Sequence, residues 1–237
     1  MSDFLKDSLK KIGYEPDEHQ CEQLNNFHKL LCEWNEFMNL TGITEYKDVV
    51  IKHYVDSLAV NCVYSFKDSD RIVDIGTGAG FPGLPIKIMH PEVTVTLLDS
   101  LNKRINFLNE VIKVNGINGI ETLHGRAEDY AVRKEYREQY DVCVSRAVAN
   151  LSTLSEYCLP YVKVGGIFIA YKASNLDDEL KASENAVKLL GGEIENVKRI
   201  TLPDTDIERT FVVVRKKNAT NRKYPRKAGV PSKEPLH

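Results

Sequence analysis

The sequence predicts an α/β fold: a doubly wound sheet, mostly parallel with an antiparallel edge strand, preceded by a helical extension. Three observations carry this. Arg71-Ile72-Val73-Asp74-Ile75 is a β-branched run too short for a helix, and Gly76, Gly78, Gly80 and then Pro82 follow it. Glycines at alternate positions let the backbone turn sharply and approach a ligand closely, and proline suits a first helical turn. From there to about residue 190, short apolar runs alternate with segments of helical period, the pattern of βα units that build a parallel sheet. Two further strand-like runs, 193–202 and 209–215, have no helix between them and so close as an antiparallel pair.

The elements are expected in this order. Residues 1–65 read as a helical extension. Phe4, Leu5, Leu9 and Ile12 share one face, and Gly13 and Pro16 break the run. Asp17 is suited to cap a second helix whose apolar positions are Cys21, Leu24, Phe27, Leu31, Trp34 and Met38, ending at residues 39–42. A third helix is expected over 47–63, with Val50, Tyr54, Leu58 and Cys62 inward. Trp34 and His53 read as packing residues, and the block carries no catalytic signature of its own. Residues 66–217 form the sheet domain. Its strands fall at 71–75, 93–98, 120–123, 140–144 and 167–171, before the closing pair, and its helices at 84–90, 103–115, 151–162 and 176–190. Residues 218–237 form a basic tail.

At 237 residues the chain can bury a sizeable core. No apolar run is long enough to span a bilayer, and Asp3, Lys6 and Asp7 are unlike a signal peptide. Cys21, Cys32, Cys62, Cys143 and Cys158 are odd in number and form no C-x-x-C pair, so neither a disulfide framework nor a zinc site is indicated and a cytoplasmic location is expected. The net charge of −2 is unevenly spread. Arg215, Lys216, Lys217, Arg222, Lys223, Arg226, Lys227 and Lys233 face only Glu234 in the last stretch. That suggests a polyanionic partner; a solvated tail is the plainer alternative. No heptad pattern argues for a stable oligomer, so a monomer is expected.

In sheets of this kind ligands bind beyond the carboxyl ends of the strands. The first strand ends in Gly76, Gly78 and Gly80. The dinucleotide fingerprint would place a third glycine where Phe81 stands. The G-x-G-x-G spacing instead resembles motif I of the Rossmann-like class I methyltransferases, whose cofactor, S-adenosylmethionine (AdoMet), has no pyrophosphate. The second strand ends in Asp99, suited to accept ribose hydroxyls, and the third leads to Ala127 and Glu128, placed to bracket an adenine. The fourth ends in Ser145 and Arg146. Each has a plainer reading: Asp99 as a helix cap, Glu128 as a surface acid, Arg146 as an ion-pair partner.

The fourth strand also lacks the Asn/Asp-Pro-Pro-aromatic motif of exocyclic-amine methylation. Cys143 and Cys158 read as core residues rather than nucleophiles. No metal-ligand cluster is visible, and none is expected. An acceptor needing no deprotonation remains, such as guanine N7, for which alignment matters more than acid–base help. Arg146, the candidate catalytic residue, is suited to hold guanine O6, or else to grip AdoMet or a phosphate.

Asn39-Leu40-Thr41, His53-x-x-Asp56-Ser57-Leu58, the glycine stretch through Pro82-Gly83, Leu97-Leu98-Asp99-Ser100, Ser145-Arg146-Ala147 and Arg226-Lys227-x-Gly229-x-Pro231 together resemble the bacterial RsmG (GidB) family from about residue 39 to the C-terminus. The resemblance implies transfer of a methyl group from AdoMet to N7 of a guanine in 16S ribosomal RNA, free or in the small subunit. It implies cofactor contacts at Gly76, Phe81, Ala127, Glu128 and Arg146. Lys103 or Arg104, Arg126, Lys172 and Arg209 match basic positions the family uses around the RNA or active site. With Arg146 and the tail's Arg226 and Lys227, they are expected to form a positive rim around the cofactor mouth. Small-molecule methyl transfer and non-catalytic ribosome-assembly binding are the alternatives.

Overall fold

The computed structural model describes residues 2–146, 149–173 and 176–237. Ala147 of the Ser145-Arg146-Ala147 motif lies outside the described residues. Seven strands form one sheet in the order β3-β2-β1-β4-β5-β7-β6. They are β1 (Arg71–Ile75), β2 (Thr94–Asp99), β3 (Ile120–His124), β4 (Tyr140–Ser145), β5 (Val162–Lys172), β6 (Gly192–Thr201) and β7 (Glu208–Lys216). β1 to β5 pair in parallel, and β7 runs antiparallel to both β5 and β6. Antiparallel pairing is thus confined to one side, as expected, with the reversed strand one place in from the edge.

The side-chain alternation of each strand divides the core in two. Ile72, Leu97, Val142, Val144, Ile169 and Phe211 point to one face, with α1 (Ser2–Lys10), α2 (Glu18–Met38), α5 (Gly83–Met89) and α6 (Asn102–Val114). Val73, Leu98, Cys143, Phe168, Ala170 and Val212 point to the other, against α7 (Ala127–Tyr130), α8 (Leu151–Cys158) and α9 (Asp177–Leu189). The helical extension is therefore one of the sheet's two layers rather than an appendage. Asp17 caps α2 as expected, in a capping box with Gln20.

The third helix differs from expectation. It breaks into α3 (Tyr46–Val49), a π-helical turn (Val50–Val55), α4 (Asp56–Leu58) and a 3₁₀ turn (Ala59–Cys62). The wider π turn shifts the helical phase, so Val50, Tyr54 and Leu58 are buried while Cys62 turns outward. Gly165 and Gly166 lie inside β5 rather than opening it, beside a register shift against β4.

The last twenty residues are not a solvated tail. Thr220, Tyr224 and Pro231 are buried, and Arg137 donates to the carbonyl oxygens of Thr220 (2.8 Å) and Tyr224 (3.0 Å). The short α10 (Val230–Lys233) packs near α8, where Thr153 Oγ1 donates to the Pro231 carbonyl at 3.0 Å. Among the described residues no helix is long and apolar enough to cross a membrane.

Candidate active site

The chain enters the sheet at β1, builds outward to β3, then returns to lay β4 on the other side of β1. The crevice at that switch point is where such sheets bind ligands. Ser145 Oγ, wholly buried, donates to the Ile75 carbonyl at 2.7 Å and ties the two strand ends together. Above them lies a cleft of about 480 Å³, the size of a small-ligand site. Gly76, Gly78, Phe81, Asp99, Arg104, Arg126, Ala127, Glu128 and Arg146, all singled out from strand ends or resemblance, border it.

The glycine turn is closed on itself. Gly76 N and Thr77 N donate to the Leu98 carbonyl, at 2.9 and 3.1 Å, and Gly80 N and Phe81 N to the Thr77 carbonyl, both at 3.0 Å. Gly78 N donates to Asp99 Oδ2 at 2.9 Å. Most of the amides that would cradle a phosphate in a dinucleotide site are therefore used within the protein, and a carboxylate stands behind them. Asp99 also accepts from Leu101 N (2.9 Å) and Arg104 (3.2 Å), so the helix-cap and cleft-wall readings are both realised. Behind the turn, Asp74 accepts from Thr77 Oγ1 (2.7 Å) and Gly83 N (2.8 Å). Its burial pushes its carboxyl up to about 7.

Gly80 does not border the cleft, contrary to expectation. A Cβ there would lie 2.6 Å from Leu84 Cδ1 and 2.9 Å from Leu108 Cδ2, at a φ of +97°. It is a glycine because helix packing and the left-handed turn require it. Gly78 (φ +62°) has only the Gly76 carbonyl, at 4.0 Å, near its would-be Cβ, so the inner side of the turn is open. Gly80→Ala is expected to lower stability by about 1–3 kcal/mol in urea denaturation through overpacking; Gly78→Ala is expected to destabilise less and to weaken cofactor binding more in calorimetry.

The mouth is built by residues read as packing or left out. His53, from the π turn, stacks on Phe81 (centroids 4.3 Å apart), whose ring also stacks on Phe27 (5.0 Å). His53 Nδ1 faces Arg146 Nη2 at 3.3 Å and Nε2 faces Thr41 Oγ1 at 3.1 Å. Nδ1 also lies 3.1 Å from the Lys52 carbonyl oxygen, so the imidazole is held by Arg146, Lys52 and Thr41 together. Burial, then the Arg146 charge, lowers the imidazole pKa to about 4. Asp56, 1 % exposed, accepts from Arg146 Nη1 at 2.7 Å through Oδ2. It also accepts from Arg209 Nε (2.6 Å) and Nη2 (3.0 Å). The guanidinium of Arg146 lies 5.1 Å from the Phe81 centroid, within cation–π reach. The extension thus supplies much of the site. Its signal in the sequence is the His53-x-x-Asp56 pair, which the π turn presents to the crevice.

The expected positive rim is smaller than the residue count suggests, because several of its cations are held by carboxylates. Arg104 and Arg126 remain at the cleft, and Lys103 is exposed beside it, donating to the Met38 carbonyl at 2.9 Å. Lys172 is buried, paired with Glu179 at 2.6 Å and donating to the Ala149 carbonyl. Arg209 is turned to Asp56 and away from the cleft. Arg226 makes a two-pronged pair with Glu156, which is fully buried, at 2.7 Å. Lys227 is exposed. Glu128 spends one carboxylate oxygen on the tail, accepting from Gly229 N at 2.8 Å. Both it and Ala127 border the cleft.

A family model described as rRNA small subunit methyltransferase G matches residues 20–208. Proteins named ribosomal RNA small subunit methyltransferase G are similar over nearly the full length. The one from Lachnoclostridium phytofermentans is 50% identical over 235 residues, 99% of this chain and 97% of the relative. The one from Clostridium perfringens strain 13 is 47% identical over 234 residues, 99% and 98%. Among solved structures, M. jannaschii TYW2 in complex with AdoMet matches with a TM-score of 0.55 at 13% identity, over 73% of this chain and 77% of that one. P. horikoshii TYW2 in complex with MeSAdo matches with a TM-score of 0.54 at 18% identity, over 69% and 61%. At such identities the structures speak for the fold alone, whereas the family match and the near-full-length relatives go further. The chain belongs to the rRNA small subunit methyltransferase G (GidB) family.

Proposed function

We propose that the protein transfers a methyl group from AdoMet to N7 of a guanine in 16S ribosomal RNA. The observation that carries this is the cleft at the β1/β4 switch point, with its glycine turn closed to phosphate and Arg146 at its mouth. Bound AdoMet supplies an electrophilic methyl on a sulfonium and presents no phosphate to the turn. The open inner side of Gly78 and the cleft volume suit a nucleoside-sized group. Asp99 keeps lone-pair capacity toward the cleft after its three bonds. Ala127 and Glu128 border the cleft beyond the end of β3.

The imidazole at the cleft mouth is poorly suited to removing a proton. His53 is held as a neutral, weakly basic imidazole, its pKa lowered to about 4 by burial and by the Arg146 charge. An acceptor with an in-plane lone pair needs no base, which favours guanine N7. Arg146 holds the base by its O6 edge, oriented through Asp56 and His53, and N7 is left toward the methyl. Arg104, Arg126, Lys103 and Lys227 provide phosphate contacts around the opening. A base in structured RNA has to leave its stack to enter, so a particle presenting an unstacked guanine is the fitting substrate.

The test is incubation with labelled AdoMet and small subunits lacking the modification. Label in a single guanine, released as 7-methylguanine, is the expected result; AdoMet binding without transfer to RNA would overturn the reading.

A further inference from the structure

The apolar stripe that seats α2 in the core is complete without Phe37. Cys21, Leu24, Phe27 and Leu31 are buried, and Trp34 and Met38 carry the stripe, half-buried, to the end of the helix. Phe37 stands off this stripe. At 70% exposed it is the most exposed large apolar side chain among the described residues. One side of its ring is nonetheless held. It lies 5.8 Å from the Trp34 ring, which in turn lies 5.8 Å from Phe107 of α6. The result is an aromatic step, anchored to the core at its inner end and open to solvent at its outer one.

The step stands at the lip of the cleft. Asn39, in the left-handed region at φ +50°, turns the chain off α2, and Thr41 N donates to Asn35 Oδ1 at 2.9 Å to fix the turn. Leu40 and Thr41, which follow, border the cleft. Opposite them Ser100 borders it too, and the next residue, Leu101, is 43% exposed. The two helix ends are tied, since Lys103 Nζ donates to the Met38 carbonyl at 2.9 Å. Phe37 therefore continues the mouth outward. The carboxylate one turn back along α2, Glu33, is offset by Lys29 at 4.0 Å, so no unpaired negative charge guards the step on that side.

We propose that Phe37 is a stacking platform for one unpaired nucleobase flanking the target guanine. The family's substrate is ribosomal RNA. Unpaired bases of RNA stack on exposed aromatic rings whatever their identity, because every base has a π-face. A guanine that leaves its stack to enter the cleft strips a neighbour of its partner. The phenyl ring takes the vacated place and offsets part of that cost. Phe37 is thus a positioning residue: it holds the strand beside the mouth and does not touch the reacting atoms. The inference rests on the reading of the cleft as the place of transfer.

The experiment uses the full chain and small subunits lacking the modification, with binding measured across a salt series. Phe37→Ala is expected to weaken binding by about 5- to 100-fold, the range for loss of one base–aromatic stack. The slope of log K against log salt is expected to stay as it is, because no phosphate contact is lost. Phe37→Trp is expected to bind as the native chain does, and Phe37→Leu to bind as weakly as Phe37→Ala, since leucine offers apolar area without a π-face. Binding by Phe37→Ala within twofold of native would overturn the proposal. Native binding by Phe37→Leu would overturn it as well, by making the step a general apolar contact such as a ribosomal protein takes. A shallower salt slope, or weaker AdoMet binding in calorimetry, would mean that the substitution acts through Lys103 or the cleft, and would equally overturn it. These readouts concern binding alone, so they stand apart from any failure of the native protein to methylate guanine N7.

Discussion

Arg146→Ala is expected to lower kcat for methyl transfer by about a hundred- to a thousandfold, the range seen when a preorganised donor is removed from a site. Single-turnover assays at saturating AdoMet measure this. The fold is expected to survive, because Asp56 keeps its two bonds from Arg209 when Arg146 is gone. Truncation here leaves no buried carboxylate without a partner, which is the usual reason such changes unfold a protein. Arg146→Lys is expected to recover only part of the loss. Lysine restores the charge but cannot reproduce the fork that meets Asp56, the Lys52 carbonyl and His53 together. Transfer within twofold of wild type in Arg146→Ala would remove this residue from the mechanism.

Arg226→Met is expected to destabilise the protein by about 3–5 kcal/mol in urea denaturation, the loss that follows when one partner of a buried pair is removed. Glu156 is fully buried in α8, and the Arg226 backbone N–H and guanidinium both donate to it. The same variant is expected to loosen the tail, and with it the Gly229 N–H that holds Glu128 at the cleft. Truncation at residue 217 should therefore unfold or weaken the cofactor site as well as remove positive charge. It is a poor test of RNA binding; single changes at exposed Lys223 or Lys227 are the clean ones. A stability loss below about 1 kcal/mol in Arg226→Met would mean that Glu156 finds another partner.

The nucleotide half of the site was legible because the sheet's topology converts chain order into position. Reading the residues at or just beyond each strand end from β1 to β4 finds Gly76, Asp99, Ala127, Glu128 and Arg146, and all five border one cleft. The half made by the extension was not, because its contacts run between distant segments. His53 and Asp56 meet Arg146 about ninety positions on, and Asp56 meets Arg209 farther still. Local periodicity carries no signal for such pairs, and the π turn that aims them departs from helical spacing. The unforeseen pairing of the rim's cations has the same origin. Arg226 and Arg209 look free in the sequence because their carboxylates, Glu156 and Asp56, lie far up the chain. Gly80 misled for a different reason: a ligand and a neighbouring helix both demand the absence of a Cβ, and the motif alone does not say which.

The self-satisfied turn after β1 also bears on what the enzyme ignores. Adenosine compounds in a living cell are mostly phosphorylated, and a loop with unspent amides would collect them. Here most of those amides are already spent and the Asp99 carboxylate stands behind them, which disfavours a phosphorylated tail relative to a neutral or cationic one. Exclusion of the crowd is thus written into the backbone, before any contact with the nucleobase is made.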